Sequence, residues 1–269
     1  MFKKAATLIA LSCVLALSLV MGGCGSSSEN AEPAKQASSE MAMVNSGKLT
    51  VASDFQFPPF EYMDGSNKTG FSVELVEALA QEMGLEAYWL DPIKFDTLVP
   101  LVKQGGKIDA AVASITINEE RKQEVDFSDP YLDSNQGLAV MKDSNFASQE
   151  DLNKAGVKVA VQSGSTGEAW ATENLPNAEI LVLDDNTAGF AALQSGKADA
   201  VALDLPVMQW MVKESYPDAK VIAEIPTGEQ YGIAVSKENP ELTKKLNEAL
   251  KTLKDNGKYD EIHKKYFGN

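Results

Sequence analysis

Apolar residues recur along this chain in two rhythms, and the rhythms alternate. Leu49 to Ser53 is a short apolar run with strand character. From Phe71 to Met83, Leu75, Val76, Leu79, Ala80 and Met83 share one face at helical spacing. Ser72 is placed to cap that helix and Gly84 to stop it. A strand near Leu85 to Leu90, a helix from Asp96 to Gln104 and a strand from Ile108 to Ala113 follow. The second half repeats the scheme: a strand at Val157 to Val161, a helix at Ala188 to Gln194 and a strand at Ala198 to Leu203. Such alternation predicts an α/β fold with helices covering a largely parallel sheet.

Two segments echo each other. GKIDAAVA (Gly106 to Ala113) and GKADAVAL (Gly196 to Leu203) each follow an apolar helix. Each ends beside polar groups, Ser114 and Thr116 in the first and Asp204 in the second. The echo is either a generic helix-to-strand link with a shared glycine stop, or the mark of two similar lobes. In the second case a ligand would sit between them, since open α/β sheets bind outside their strand carboxyl ends.

The N-terminus has a different character. Met1 to Lys4 is basic, Ala5 to Met21 is almost wholly apolar, and Gly22 and Gly23 precede Cys24. This is the layout of a secretory signal peptide over residues 1–23, too short for a comfortable membrane span. LVMGGC resembles a lipobox, with Met21 in place of the usual Leu, so Cys24 is the expected lipidated N-terminus. Cys13 would leave with the signal, and the mature chain would have no disulfide. Residues 24–47 are rich in Ser, Glu, Ala and Gly and poor in large apolar groups, the composition of a flexible tether.

Charge narrows the function. The formal net charge is −15 at pH 7, with 39 acidic residues against 24 basic ones, which argues against nucleic acid as a partner. All but one of the basic residues are lysine, and the exception is Arg121. The single histidine is His263, so a multi-histidine metal centre is excluded and a His-based triad has only that candidate. No metal and no cofactor is expected.

VASDFQFPPFEY, GFSVELVEALA, SITINEERKQEVDFSDPY, VAVQSGSTGE and ADAVALDLP, in this order and followed by GKYDEIHKKYFG, resemble the family-3 extracellular solute-binding proteins. These are the polar-amino-acid receptors of ABC importers. The resemblance implies a two-lobed clamp of type II with two hinge strands that closes around a free amino acid. It places lobe 1 at 48–131 plus 232–269, lobe 2 at 136–226, and the hinges at 132–135 and 227–231. The implied protein is a lipid-anchored extracytoplasmic monomer that hands its ligand to a membrane permease.

The same resemblance carries site roles. Arg121 would hold the ligand α-carboxylate, and a guanidinium fork matches a carboxylate bidentately as lysine cannot. Ser114 and Thr116 precede its helix, where free amides favour an anion, and either of them is also a plausible cap. Thr166 either caps a helix or reaches the same carboxylate from the other lobe. Asp204 either caps a helix, with Pro206 in the first turn, or takes the ligand ammonium. Phe57 and Phe95 would sandwich the ligand side chain or else belong to the core. Asp54 would face the far end of the ligand, with Gln162 opposite. Glutamine-selective relatives tend to carry Lys at the Gln162 position and His at the Leu203 position. This chain has neither, which leans toward arginine, lysine or ornithine without excluding glutamine. Two other classes stay open: a dehydratase-like enzyme on this fold, and a sensor acting through a separate partner.

Overall fold

The computed structural model describes residues 41–268. The expected signal peptide, Cys24 and most of the tether lie outside the described residues. In chain order the first elements are β1 (Lys48–Ala52), β2 (Gln56–Phe57), β3 (Glu61–Asp64), β4 (Asn67–Thr69), α1 (Phe71–Glu82) and β5 (Glu86–Trp89). Next come α2 (Phe95–Gln104), β6 (Ala110–Ala111), α3 (Glu119–Glu124), β7 (Asp126–Phe127) and β8 (Leu132–Met141). A second run holds α4 (Gln149–Leu152), β9 (Lys158–Gln162), α5 (Thr166–Asn174), β10 (Glu179–Leu183), α6 (Asn186–Gln194), β11 (Ala200–Asp204) and α7 (Leu205–Glu214). The chain then passes through β12 (Ala219–Tyr231) and β13 (Ala234–Val235) and ends in α8 (Pro240–Asp255) and α9 (Lys258–Phe267).

Two five-stranded sheets dominate, in the orders β5-β1-β6-β13-β7 and β10-β9-β11-β8-β12. In each, the first three strands are parallel, the fourth (β13 or β8) runs antiparallel to them, and the fifth (β7 or β12) pairs antiparallel with the fourth. The expected parallel sheet is thus mixed in both cases. The reversed strands are β13 and β8, and β8 carries near its start the polar run Asp133 to Gln136, which breaks the alternation of apolar runs.

The echo is structural. β6 and β11 occupy the same place, third in their sheets, and the shared aspartates do the same work. Asp109 Oδ2 accepts from the Thr50 amide at 2.7 Å, and Asp199 Oδ2 from the Lys158 amide at 2.8 Å. The aspartate amides return the bond to the carbonyls of Thr50 and Lys158, each at 2.8 Å. Each aspartate therefore fastens its own strand to the beginning of the neighbouring one, β1 or β9.

Ser72 does not cap α1. It is buried inside the helix, and Gly70 holds the N-cap position with φ of 126°. A Cβ there would lie 2.1 Å from the Phe60 carbonyl oxygen, so the close approach of α1 to the loop before β3 selects glycine. Residues 41–47, assigned to the tether by composition, are fastened to the body. The Val44 amide donates to Asp109 Oδ1 at 2.8 Å, and Asn239 donates to the Ala42 carbonyl at 2.6 Å. Met41 and Met43 add apolar contacts to the core, an anchorage that the polar average of the segment conceals.

The apolar faces read from the sequence are the buried ones. Leu75, Val76 and Leu79 of α1 pack with Leu246 and Leu250 of α8 and Ile262 of α9. Leu98 and Val102 of α2 cover Ala111 and Ile115, while Leu138, Val159, Leu175 and Ala202 form a core in the second sheet. Removing one such leucine side chain costs about 2–5 kcal/mol.

Candidate functional site

β6 and β11 bring their carboxyl ends toward one cleft, and the crossing strands β8 and β12 form its floor. Asp204 closes β11 at the N-cap position of α7, yet its side chain makes no capping bond. Instead Oδ2 accepts from Tyr231 Oη at 2.6 Å, and Oδ1 accepts from Gln136 Nε2 at 2.6 Å. The side chain is turned away from the helix and only 6% of the residue is exposed. Burial pushes its carboxyl up to about 7, Glu229 adds to the rise, and Tyr231, Gln136 and Arg121 oppose it. The capping reading of Asp204 is excluded by this geometry.

Thr166 and Thr116 are likewise free of capping duty. Ser165 caps α5, accepting from the Glu168 amide at 3.0 Å, and Asn118 caps α3, accepting from the Arg121 amide at 2.8 Å. The two threonine hydroxyls lie 3.5 Å apart, one from each side of the cleft. α3 has six residues, and Asn118 takes the Arg121 amide of its first turn. Ser114, with φ of 48°, occupies a region that non-glycine residues seldom adopt. Its hydroxyl is buried without a partner.

Arg121 bridges the two halves. Nη1 donates to the Thr116 carbonyl at 2.8 Å and Nη2 to the Gly164 carbonyl at 2.9 Å, and the guanidinium lies 5.5 Å over the Phe95 ring. Two of its five donors are used in these bonds. A cavity of about 400 Å³ beside it is lined by Phe95, Asp96, Asn118, Arg121, Gly164 and Thr166. Asp54, Gln162 and Asp204 do not line that cavity and are packed against their own neighbours.

Asp54 and Gln162 do meet. Gln162 Nε2 donates to Asp54 Oδ2 at 3.1 Å across the cleft. Asn186 donates to Gln162 Oε1 at 3.0 Å, which leaves the other end of the amide to face the acid. Burial pushes Asp54 up to about 6 against the opposing Gln162 bond. Phe57 departs from the expected sandwich: 6% exposed, it belongs to the core and packs 6.1 Å from Phe60. Phe95 is the more open of the two rings.

Three residues join the site that the sequence did not single out: Gln136, Glu229 and Tyr231. Glu229 and Tyr231 are two apart in β12 and so share a face, the one available signal in that segment. Behind Ser114 lies a second unlooked-for feature. Glu61 is fully buried, neither of its oxygens has a hydrogen-bond partner, and the hydroxyls of Ser72, Ser114 and Tyr131 around it are also unpartnered. Burial pushes its carboxyl up to about 8, and the nearby Ser72 and Ser114 hydroxyls, outside bonding geometry, oppose the rise.

The family model of bacterial extracellular solute-binding proteins, family 3, matches residues 49–269. The chain belongs to this family. Among its relatives is the ABC transporter glutamine-binding protein of Bacillus subtilis, 34% identical over 92% of this chain and 92% of that one. The arginine-, lysine-, histidine-binding protein ArtJ of Geobacillus stearothermophilus is 34% identical with a TM-score of 0.76, over 82% of this chain and 96% of the other. An ancestral amino-acid-binding protein described as a precursor of cyclohexadienyl dehydratase is 39% identical with a TM-score of 0.77, over 82% of this chain and 96% of its own. This family-3 protein therefore has the two-lobed type II clamp fold, and its function is solute binding. Among the described residues no helix is long and apolar enough to cross a membrane, and no cluster of metal-ligating side chains occurs.

Proposed function

We propose that this chain captures a free polar amino acid outside the cytoplasm and presents it to an ABC permease, while anchored through a lipid on Cys24. The observation that carries the reading is the opposition of buried charge across the cleft. Arg121 on one side suits an α-carboxylate, and Asp204, which does not cap its helix, suits an α-ammonium. Ser114 and Thr116 from one side and Thr166 from the other add hydroxyl donors. Asp54, oriented with Gln162, faces the ligand side chain and favours a cation there, beside the Phe95 ring. Arginine, lysine and ornithine are the preferred ligands, glutamine and histidine come second, and glutamate and aspartate are rejected by like charge. Residues 132–135 and 227–231 act as hinges, and a ligand touching both lobes shifts the population toward the closed form.

A dehydratase activity is disfavoured, since the cleft offers carboxylates for proton transfer but no histidine. Incubation of the purified protein with candidate substrates separates this reading from binding without turnover. A thermal-shift panel of amino acids tests specificity. Stabilisation by glutamate or leucine, with none from the basic set or glutamine, would sink the assignment of Asp54. Mass spectrometry of the native protein that finds no acyl group on Cys24 removes the anchor.

A further inference from the structure

Glu229 stands where the crossing strands meet the cleft, and the reading above gives it no part. Its Oε2 accepts from Gln136 Nε2 at 2.9 Å and lies 3.4 Å from Thr116 Oγ1 and 3.3 Å from Thr166 Oγ1. The Gln136 nitrogen carries two hydrogens. Three acceptors crowd it: Asp204 Oδ1 at 2.6 Å, Glu229 Oε2 at 2.9 Å and Thr166 Oγ1 at 3.2 Å. Aiming that nitrogen at the acids leaves Gln136 Oε1 buried with no partner. The two carboxylates share the Gln136 nitrogen, and the threonine hydroxyls reach Glu229 only at 3.3–3.4 Å. An ammonium brings three donors and a positive charge, whereas a carboxylate or an apolar group would deepen the deficit.

We propose that Glu229 is a ligand-binding residue that forms, with Asp204, a two-acid seat for the α-ammonium. The proposal rests on the amino-acid reading of the cleft. It also makes binding proton-linked. With no cation between them the two acids repel, so near neutral pH the buried Asp204 retains part of a proton that an arriving ammonium displaces. The other charged or titratable groups facing the pair are Arg121 from α3, Tyr231 on β12 and Glu61 from β3. Because Glu229 belongs to a crossing strand, the seat also ties ligand charge to the strand about which the lobes would close.

Calorimetric titration of the full chain with arginine, lysine and glutamine, in two buffers of different ionisation enthalpy, tests the seat. At about pH 6.5 the wild type should release a measurable fraction of a proton on binding. Glu229→Gln should bind on the order of tenfold more weakly and release clearly less, because Asp204 loses its acidic neighbour. The same ligand is used for both proteins, so any contribution from Asp54 is common and cancels. Glu229→Asp, which keeps the charge but withdraws it, should lose affinity while keeping proton release, and it carries the test if Glu229→Gln does not fold. Unchanged or tighter binding by Glu229→Gln, the latter meaning that Glu229 is a stopper over the threonine hydroxyls, overturns the proposal. So does unaltered proton release. Failure of the wild type to bind any of the three amino acids overturns the amino-acid reading itself.

Discussion

The two lobes share a frame and differ in what they place at the end of it. In each, the aspartate of the echoed segment, Asp109 or Asp199, ties the third strand to the second with one bond to its carboxylate and one from its amide. Beyond that shared joint the strands part company. β6 runs out into Ser114 and Thr116, neutral hydroxyls, with Arg121 close behind; β11 runs out into Asp204, a buried acid. The repeated aspartates are architectural and the unrepeated strand ends are chemical. A ligand with opposite charges at neighbouring atoms has something to meet on each side.

The largest effects should come from breaking the difference. Arg121→Lys loses the fork and Asp204→Asn loses the charge. Each should weaken binding by about 2–5 kcal/mol, the cost of leaving a buried charge without its partner. Calorimetry that finds either change below about 1 kcal/mol in a folded protein rules that residue out as an anchor.

Lobe 1 also holds a buried acid without a counterpart in the second core, and this gives a pH test. The folded-state pKa of Glu61 is raised by burial from 4.5 to about 8. Between those limits the unfolded chain gives up its proton while the folded chain keeps it, so stability falls as pH rises through this window. The loss is on the order of a few kcal/mol by pH 8. Glu61→Gln should remove that slope, leaving a protein more stable than wild type at pH 8 and nearly equal to it at pH 5. Parallel melting curves for the two proteins across that range would contradict the assignment.

A smaller asymmetry lies in the shared joint. Asp109 accepts two amides, from Val44 and Thr50, whereas Asp199 accepts one, from Lys158. With hydrogen bonds to a charged group worth about 1.5–3 kcal/mol, Asp109→Ala should cost about twice as much stability as Asp199→Ala. Chemical denaturation of both variants checks the ratio. The smallest effect is expected at the rim, where Lys94 and Asp184 meet at 2.7 Å with both side chains mostly exposed. Lys94→Ala should leave affinity within about twofold, since exposed pairs are screened and held at an entropic cost. A tenfold loss would make the rim pair part of the closing mechanism.

Much of the frame was legible because it is local. The α1 and α2 faces lie within a dozen residues of chain, and the echo and the lone Arg121 need only the sequence compared with itself. The misreadings have one cause. Ser72 looked like a cap because it precedes a helix, but the cap position was decided by the Phe60 carbonyl approaching Gly70. Met41 and Met43 looked solvated because their neighbours are polar, but Asp109, far along the chain, holds Val44. Gln136 and Glu229 reach Asp204 only because β8 and β12 cross between the sheets, and no spacing in the sequence encodes that meeting. Asp204 shows the limit most clearly, since its position before Leu205-Pro206 fits a cap and only its bonds to Tyr231 and Gln136 exclude one.

The place of β13 sets an order of manufacture. It lies inside the first sheet, between β6 and β7, although it is the last strand in the chain. Every strand of the second sheet has left the ribosome by Tyr231, while Ala110–Ala111 still lacks its antiparallel neighbour and α1 still lacks α8 and α9. The lobe that is begun first is therefore completed last, and a chain ending at Tyr231 would retain all five strands of the second sheet but only an open edge of the first.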